Sequence, residues 1–528
     1  MRNAGTIFFF TAFLNAFIWV CLVPIFHTPD EQSHFGQVAF VAEKGRNSEG
    51  EELDLSKEIY TSEVLLGTHR DNSGNNRFTF HPEYRIPYSD SLIGYHEASI
   101  SAVNTHKDKS TFVRIEASRY PILYYIPGSL IYRLFYTSDI FTRVLTVRIW
   151  SLLLFMMFIA VSYKLGRLLF PKRHLEQFIF PILVGFQPML IFANVGVNSD
   201  ALGNLLFTIF IYWIVHIIKN SFTVGNTANL FITLLLCIYS KPQFIITIPI
   251  TVILILAIAI RDLKTEKKWL YISLFGVFGV VLLYIFYRIG FGSFVLIQTI
   301  INHLNLQSLL KYTREYTLSH TYTEVLPWYF GIYKWLGVTY PRGIHRIINR
   351  ILILAIVGLG LSLFKLIRNR SQVNRHIQSI IFLIGIAWIF YAGISVFDWL
   401  SWYQSGFQLG IQGRYYFPVV TILTYLFLKG WNSLIPEKFK KVKEGFIKLI
   451  AVLTVIFSIY GLYTLLSSYY DILPVSRFLV EASQYKPWFT KGYFLIFYLT
   501  MYVLCMMLLI YLIIRFKSDK KNHESIIR

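Results

Sequence analysis

The sequence predicts an all-α polytopic membrane protein of about twelve transmembrane helices with one large hydrophilic loop near its start. Three observations carry that expectation. Hydrophobic residues make up 55% of the 528 and charged residues only 15%, a composition that no water-soluble domain of this size shows. Apolar stretches of about 17 to 25 residues recur from end to end, each long enough for a hydrocarbon core about 30 Å thick. The Lys and Arg residues, whose excess over acids gives a net charge of +21, sit in short loops between those stretches. The positive-inside rule accounts for that charge, so it does not point to nucleic acid.

The first stretch, Thr6 to Phe26, has only Arg2 before it and no small-residue cleavage motif after it, and reads as a retained span. The basic loops Lys164 to Arg173, Arg261 to Lys268, Arg368 to Arg375 and Lys438 to Lys448, and the tail from Arg515, must all face the cytoplasm. Spans near 6–26, 147–165, 177–196, 200–218, 222–240, 242–260, 269–290, 348–367, 377–397, 415–430, 449–467 and 492–514 satisfy this, with both termini cytoplasmic in the plasma membrane. Segments 27–146, 291–347, 398–413 and 468–491 then lie outside. Pro121 to Tyr136 is apolar but short and interrupted by Pro127-Gly128. Counting it as a span would turn the Lys164 to Arg173 cluster outward, so it is expected as an interfacial helix. Residues 222–260 break at Lys241-Pro242-Gln243 and read either as one bent helix or, as parity prefers, as a hairpin with Lys241 at its outer tip. Residues 1–430 are expected to form the functional region, and 431–528 to add C-terminal helices and a basic tail. Cys21, Cys237 and Cys505 fall inside apolar stretches, which leaves the outer loop without a disulfide framework.

The outer loop 27–120 has more acids than bases, and its middle, Asn47 to Asn76, reads as loop with little packed core. At its start stands Thr28-Pro29-Asp30-Glu31-Gln32-Ser33-His34-Phe35. Thr28-x-x-Glu31 with Pro29 between them matches a capping box with proline at the first helical position. Phe35, Val38, Ala39 and Ala42 then share a face, and Lys44-Gly45 closes the helix. Capping explains Glu31. It leaves Asp30 without a structural partner, as a free carboxylate at the mouth of a membrane helix that can accept a proton from a hydroxyl.

Basic residues also stand at expected outer ends of spans: Arg143, Arg148, Lys241, Arg342, Arg346, Arg350 and Arg414. Each alone is explained by snorkelling to headgroups. Several converging at one depth suit a lipid phosphate, and Lys241 and Arg414 directly abut long apolar segments. Asn198-Ser199-Asp200 closes the third span on the same side, where Asp200 is either an N-cap or a site wall level with Asp30. In Gln412-Gly413-Arg414-Tyr415-Tyr416-Phe417-Pro418 the aromatics suit an interfacial belt or a site edge. His34 has no second histidine at helical spacing, so the run is not a zincin motif.

Taken together, Asp30-Glu31 in a long first outer loop, the stretch Arg119-Tyr120-Pro121-Ile122-Leu123-Tyr124-Tyr125, and Asn198-Ser199-Asp200 resemble the GT-C glycosyltransferases. These are integral membrane enzymes that take sugars from polyprenyl-phosphate carriers. Lys241-Pro242 and Gln412-Gly413-Arg414-Tyr415 look like motifs of a bacterial branch catalogued mainly as a membrane domain of unknown function. Where the protein mannosyltransferase branch carries a His-Pro-Pro run, this chain has Arg119-Tyr120-Pro121, which speaks against a protein acceptor. The resemblance implies a GT-C-like fold and inverting transfer from a polyprenyl-phosphate-linked sugar to a hydroxyl of an envelope glycan, a teichoic-acid-like polymer or a lipid. Asp30 is then the base, with Glu31 beside it. Lys241, Arg414, Arg148, Arg119, Asp200, Asn198, Tyr415 and His34 are the candidate contacts to substrate and lipid phosphate. The pattern looks more like that of the metal-independent branch, so no cofactor is expected; the alternative is a divalent ion on Asp30, Glu31 and Asp200. The competing classes are a flippase for lipid-linked sugars, which calls for ionisable residues buried mid-span, and a non-catalytic scaffold of an envelope-polymer complex.

Overall fold

The computed structural model describes residues 2–220, 223–261, 305–368 and 375–516, together with Gly276 and Gly279. The architecture is helical, and the strands among the described residues form two short two-stranded ribbons. Helix α1 (Arg2–Leu22) ends where Pro24 removes a donor and blocks continuation. Helix α2 (Glu31–Lys44) is closed by Gly45 in the left-handed region, whose N–H returns to the Val41 carbonyl. A ribbon of β1 (Leu55–Ser56) and β2 (Phe112–Arg114) brackets α3 (Lys57–Leu66) and the rest of the outer loop. Helix α4 (Tyr125–Leu134) follows, too short to cross a bilayer. The long helix α5 (Ile140–Leu169) starts on Asp139, whose side chain caps the Thr142 N–H.

Beyond it come α6 (His174–Gly185), α7 (Pro188–Val195), α8 (Asp200–Lys219), α9 (Val224–Ser240) and α10 (Thr247–Arg261). The later part holds α11 (Arg342–Arg368), α12 (Arg375–Ser405), α13 (Val420–Leu434), α14 (Lys440–Tyr469) and α15 (Tyr493–Arg515). Among the described residues seven helices are long and apolar enough to cross a membrane, or eight if the pair α6 and α7 counts as one span. They fall at the expected positions; α9 and the 242–258 segment are shorter apolar helices. The expected span 269–290 lies, but for two glycines, outside the described residues.

Four local expectations are corrected. The span expected at 177–196 bends by 58° between α6 and α7, because Pro188 cannot extend α6 and instead opens a new helix capped by Gln187. The span expected at 415–430 begins as a 3-10 turn, Gly413–Val419, and becomes α-helical only after Pro418. The 47–76 segment is more than loop: Ser56 caps α3, and Leu55, Ile59 and Leu66 are buried in the main core. The capping box at Thr28 does not form either. Helix α2 starts at Glu31, preceded by Asp30 at φ 55°, and the Thr28 hydroxyl has no hydrogen-bond partner among the described residues.

Glu31 has a different role. Its carboxylate is fully buried and holds Arg148 of α5 in a fork, with Nε at 2.7 Å and Nη2 at 2.5 Å. Arg148 spends its remaining donors on the end of α1, reaching the carbonyls of Val20, Val23 and Pro24 at 2.7–3.0 Å. The Phe26 and Val197 N–H groups donate to Glu31 at 2.9 and 3.1 Å. The α1 end, the start of α2, α5 and the loop after α7 are thus pinned at one point. Removing one member of such a pair strands the other without solvent. Arg148→Met is therefore expected to destabilise the protein by about 3–5 kcal/mol. Thermal unfolding of the detergent-purified variant should show a clear fall in midpoint; an unchanged midpoint would contradict this role.

Candidate active site

The turn between α1 and α2 is strained in two places, Phe26 at φ 63° and Asp30 at φ 55°. A bulky aromatic in that region is an outlier that survives only when its surroundings over-determine it. Glu31 does so for Phe26 by accepting its N–H. On the other side Asn198 donates from Nδ2 to the Pro29 carbonyl at 2.9 Å and accepts the Asp200 N–H at 2.8 Å. A Cβ at Gly196 would collide with the Thr28 side chain, so only glycine lets the two loops approach this closely. The loop holding Asp30 and the helix end holding Asp200 are joined through one side chain.

Around them four charges from four distant parts of the chain converge. Arg414 Nη2 lies 2.6 Å from Asp30 Oδ2, and its Nη1 is 3.8 Å from Asp200 Oδ2. Lys241 pairs directly with Asp200. Lys241 is aimed by the break that Pro242 imposes after α9. Arg414 is aimed by Gln412, which accepts from its Nε, and by Gly413, where a Cβ would collide with the Tyr329 backbone. A fifth charge, unforeseen from the sequence, is Arg70 of the outer loop: its Nη1 reaches Asp30 Oδ1 at 3.4 Å, its Nε reaches Glu116 at 2.9 Å, and its Nη2 bonds Ser33.

Aromatic rings wall the cluster. The Lys241 ammonium lies 4.8 Å from the Tyr120 ring centroid and the Arg414 guanidinium 5.3 Å from that of Tyr415. His34 stacks on Tyr120 and Tyr125 and shares a 2.7 Å hydrogen bond with the Tyr125 hydroxyl. Burial and the nearby Lys241 push the His34 pKa down to about 3, so the ring is neutral at physiological pH. Burial works to raise the Asp30 pKa, but the guanidiniums of Arg414 and Arg70 outweigh it and hold the carboxyl well below the usual range. Its side chain is still 38% exposed.

The structure thus brings together Asp30, Asp200, Lys241, Arg414, Tyr415 and His34, with Asn198 as their positioning strut. It corrects the remaining expectations. Asp30 is not a free carboxylate; two guanidiniums hold it. Glu31 is taken up by Arg148 and the Phe26 and Val197 N–H groups, and among the described residues no group of three or more His, Cys, Asp or Glu side chains that could hold a metal ion is found. Arg119 does not approach the site: it binds buried Asp54 at 3.1 Å and the Glu52 carbonyl, tying the outer loop together. Arg143 is buried on Glu58 and Tyr132, and Arg342, Arg346 and Arg350 are exposed on α11.

The chain belongs to the family described as predicted membrane protein DUF2142, whose model matches residues 13–423. A search of curated proteins found no match. Among solved structures it is similar to ArnT from Cupriavidus metallidurans bound to undecaprenyl phosphate, at 13% identity and a TM-score of 0.40, over 97% of this chain and 78% of that one. It is also similar to the archaeal oligosaccharyltransferase AglB from Archaeoglobus fulgidus in complex with an inhibitory peptide and a dolichol-phosphate. That match has 13% identity and a TM-score of 0.42, covering 88% of this chain and 56% of AglB, little more than half its length. At TM-scores of this size the likeness carries no functional conclusion.

Because the folded-state pKa of Asp30 lies below its ordinary 3.8, the ionised carboxylate stabilises the fold at every pH above that value. The contribution is lost as pH falls below it towards the folded-state pKa. The thermal midpoint of the wild type should therefore drop between about pH 4 and pH 2, while Asp30→Asn starts lower and drops less over the same window. Parallel curves would mean that Asp30 is not held by these cations.

Proposed function

We propose that this DUF2142 protein is a membrane glycosyltransferase that moves a sugar from a polyprenyl-phosphate carrier to a hydroxyl of an extracytoplasmic acceptor, inverting the anomeric centre, with Asp30 as general base. One observation carries the reading: Lys241 and Arg414, each at the end of an apolar segment, neutralise two carboxylates in a partly open cluster. Fixed cations at that level suit a phosphate carried by a lipid, and they are satisfied by Asp200 and Asp30 in the resting protein. Two residues beyond Arg414, Tyr416 lines an apolar cavity of about 190 Å³ with Tyr329, Tyr391 and Phe427, a surface suited to an isoprenoid chain.

The chemistry follows from charge balance. When the donor phosphate enters, Arg414 and Lys241 gain phosphate oxygens as partners, and Asp30 loses part of the positive charge that depresses its proton affinity. The acceptor hydroxyl then attacks the anomeric carbon from the face opposite the phosphate and gives its proton to Asp30. A new glycosidic C–O bond forms as the C–O bond to phosphate breaks. The departing polyprenyl phosphate gains negative charge, which the two cations stabilise without reorganising. Neutral His34, hydrogen-bonded to Tyr125 and stacked on Tyr120, forms a wall beside the cluster. Positive charge comes from side chains, so the proposed reaction uses no metal. With basic loops inside, the site faces outward and both termini are cytoplasmic.

Asp30→Asn should lower sugar transfer by about 10²-fold or more in membranes while the protein still folds, as expected for loss of a general base. In a deletion strain, mass spectrometry of envelope glycans should show a missing sugar that the wild-type gene restores and Asp30→Asn does not, with polyprenyl-phosphate sugar accumulating outside. Unchanged glycans with lipid-linked precursors trapped inside would replace this reading with a flippase. Full rescue by Asp30→Asn would favour the scaffold.

A further inference from the structure

The outer loop contains an open cleft of about 500 Å³ lined by Leu53, His69, Arg70, Asn72, Arg114 and Ile115, among others. We propose that this cleft seats a water-borne glycan and that Arg70 reports its presence to Asp30. The inference rests on the transferase reading above and names its acceptor.

Leu53 and Ile115 are 48% and 42% exposed although they flank the short β1–β2 ribbon, whose own Leu55 is buried. Two exposed aliphatic side chains across one cleft, in a hydrophilic loop, leave an apolar strip that the fold does not use. The rest of the wall is planar and polar. Arg114 donates to the Arg70 carbonyl at 2.5 Å, contacts His69, and lies 3.3 Å from Glu116. Asn72 stands on the exposed rim. A strip that packs against ring C–H groups, bordered by guanidinium, imidazole and amide groups for hydroxyls, matches the two-sided chemistry of a sugar. A lipid tail would leave those polar groups unsatisfied.

Beneath the cleft, both carboxylate oxygens of buried Glu63 lack a hydrogen-bond partner among the described residues. Burial and the neighbouring Glu116 raise its pKa well above the ordinary value, so it does not cancel the charge of Arg70 and Arg114. Arg70 is the connection to the reaction. Its Nε is anchored on Glu116 at 2.9 Å, whereas its contact with Asp30 is the looser one, at 3.4 Å. A hydroxyl that takes this Nη1 donor competes with Asp30 for it and loosens the guanidinium's hold on the carboxylate. The cleft belongs to the water-side loop and the apolar cavity at Tyr416 to membrane helices, so acceptor and donor approach through different media.

The test measures binding, apart from catalysis. Full-length protein in nanodiscs is titrated with defined tetrasaccharides of glucose, galactose, mannose and N-acetylglucosamine by saturation-transfer NMR, and separately with undecaprenyl phosphate. At least one oligosaccharide should bind, at least tenfold more weakly to the Leu53→Asp/Ile115→Asp variant, and no more weakly to Asp30→Asn, which releases the Arg70 donor that the glycan takes. Asn72→Trp, which fills the cleft from its rim, should give the same loss if the double variant proves unstable. Undecaprenyl phosphate binding should survive all these cleft substitutions. No bound oligosaccharide, or equal binding by the cleft variants, overturns the proposal. Failure of the wild type to bind undecaprenyl phosphate would instead overturn the donor reading.

Discussion

The buried fork between Glu31 and Arg148 is the constraint on which the site depends. A buried ion pair contributes little net stability compared with well-packed apolar residues, because both charges give up water. What this one provides is position. Arg148 gathers the carbonyls at the end of α1, and Glu31 gathers the N–H groups of Phe26 and Val197, so two loops distant in sequence meet at a single carboxylate. Asp30, immediately before Glu31, inherits its place from that anchor, and Asn198, immediately after Val197, inherits its own. The left-handed backbone at Phe26 and Asp30 is the local strain that this anchoring sustains.

The second level of organisation is neutralisation. Asp30 and Asp200 face Arg414 and Lys241, and Arg70 is balanced by Glu116, so the resting cluster has every charge answered by a near neighbour. That explains how so many ionic groups persist where helices of a membrane protein end. In the proposed reaction an anionic ligand enters by exchange: its oxygens replace carboxylates on the cations, and the freed carboxylates gain proton affinity. A cluster built from unpaired cations would bind phosphate more tightly but would carry no means of switching on a base.

The helical architecture was legible because the bilayer imposes length and composition on each span, and that constraint acts residue by residue along the chain. Breaks at Pro188 and Pro418 displaced helix starts without moving the spans. The pair Asp30-Glu31 could be picked out, but its roles could not be divided correctly. Thr28-x-x-Glu31 has the local chemistry of a cap, and nothing in eight residues reveals that an arginine 117 positions later competes for the same carboxylate. The error at Arg119 is of the same kind, since Asp54 claims it through a long-range fold of the outer loop. Arg70 carried no signal at all: it lies in a hydrophilic stretch where spacing has no period, and its meaning comes only from contact with Asp30.

These contacts give the outer loop an architectural part in the chemistry. Asp54 binds Arg119 and accepts the N–H groups of Glu116 and Ala117, which fixes Glu116, and Glu116 in turn fixes Arg70. Asp30 is therefore held from two directions, by Arg70 from the water-side loop and by Arg414 from the start of a late membrane segment. Relieving only one cation leaves the other to keep the carboxylate a weak base. Under the proposed reaction, Asp30 would gain full strength as a base only when both guanidiniums are engaged elsewhere, one by a donor reaching it from the lipid and one by an acceptor reaching it from water. Under that proposal, such a coincidence requirement would protect an activated sugar from attack by solvent while only the donor is bound, and it would arise from charge placement.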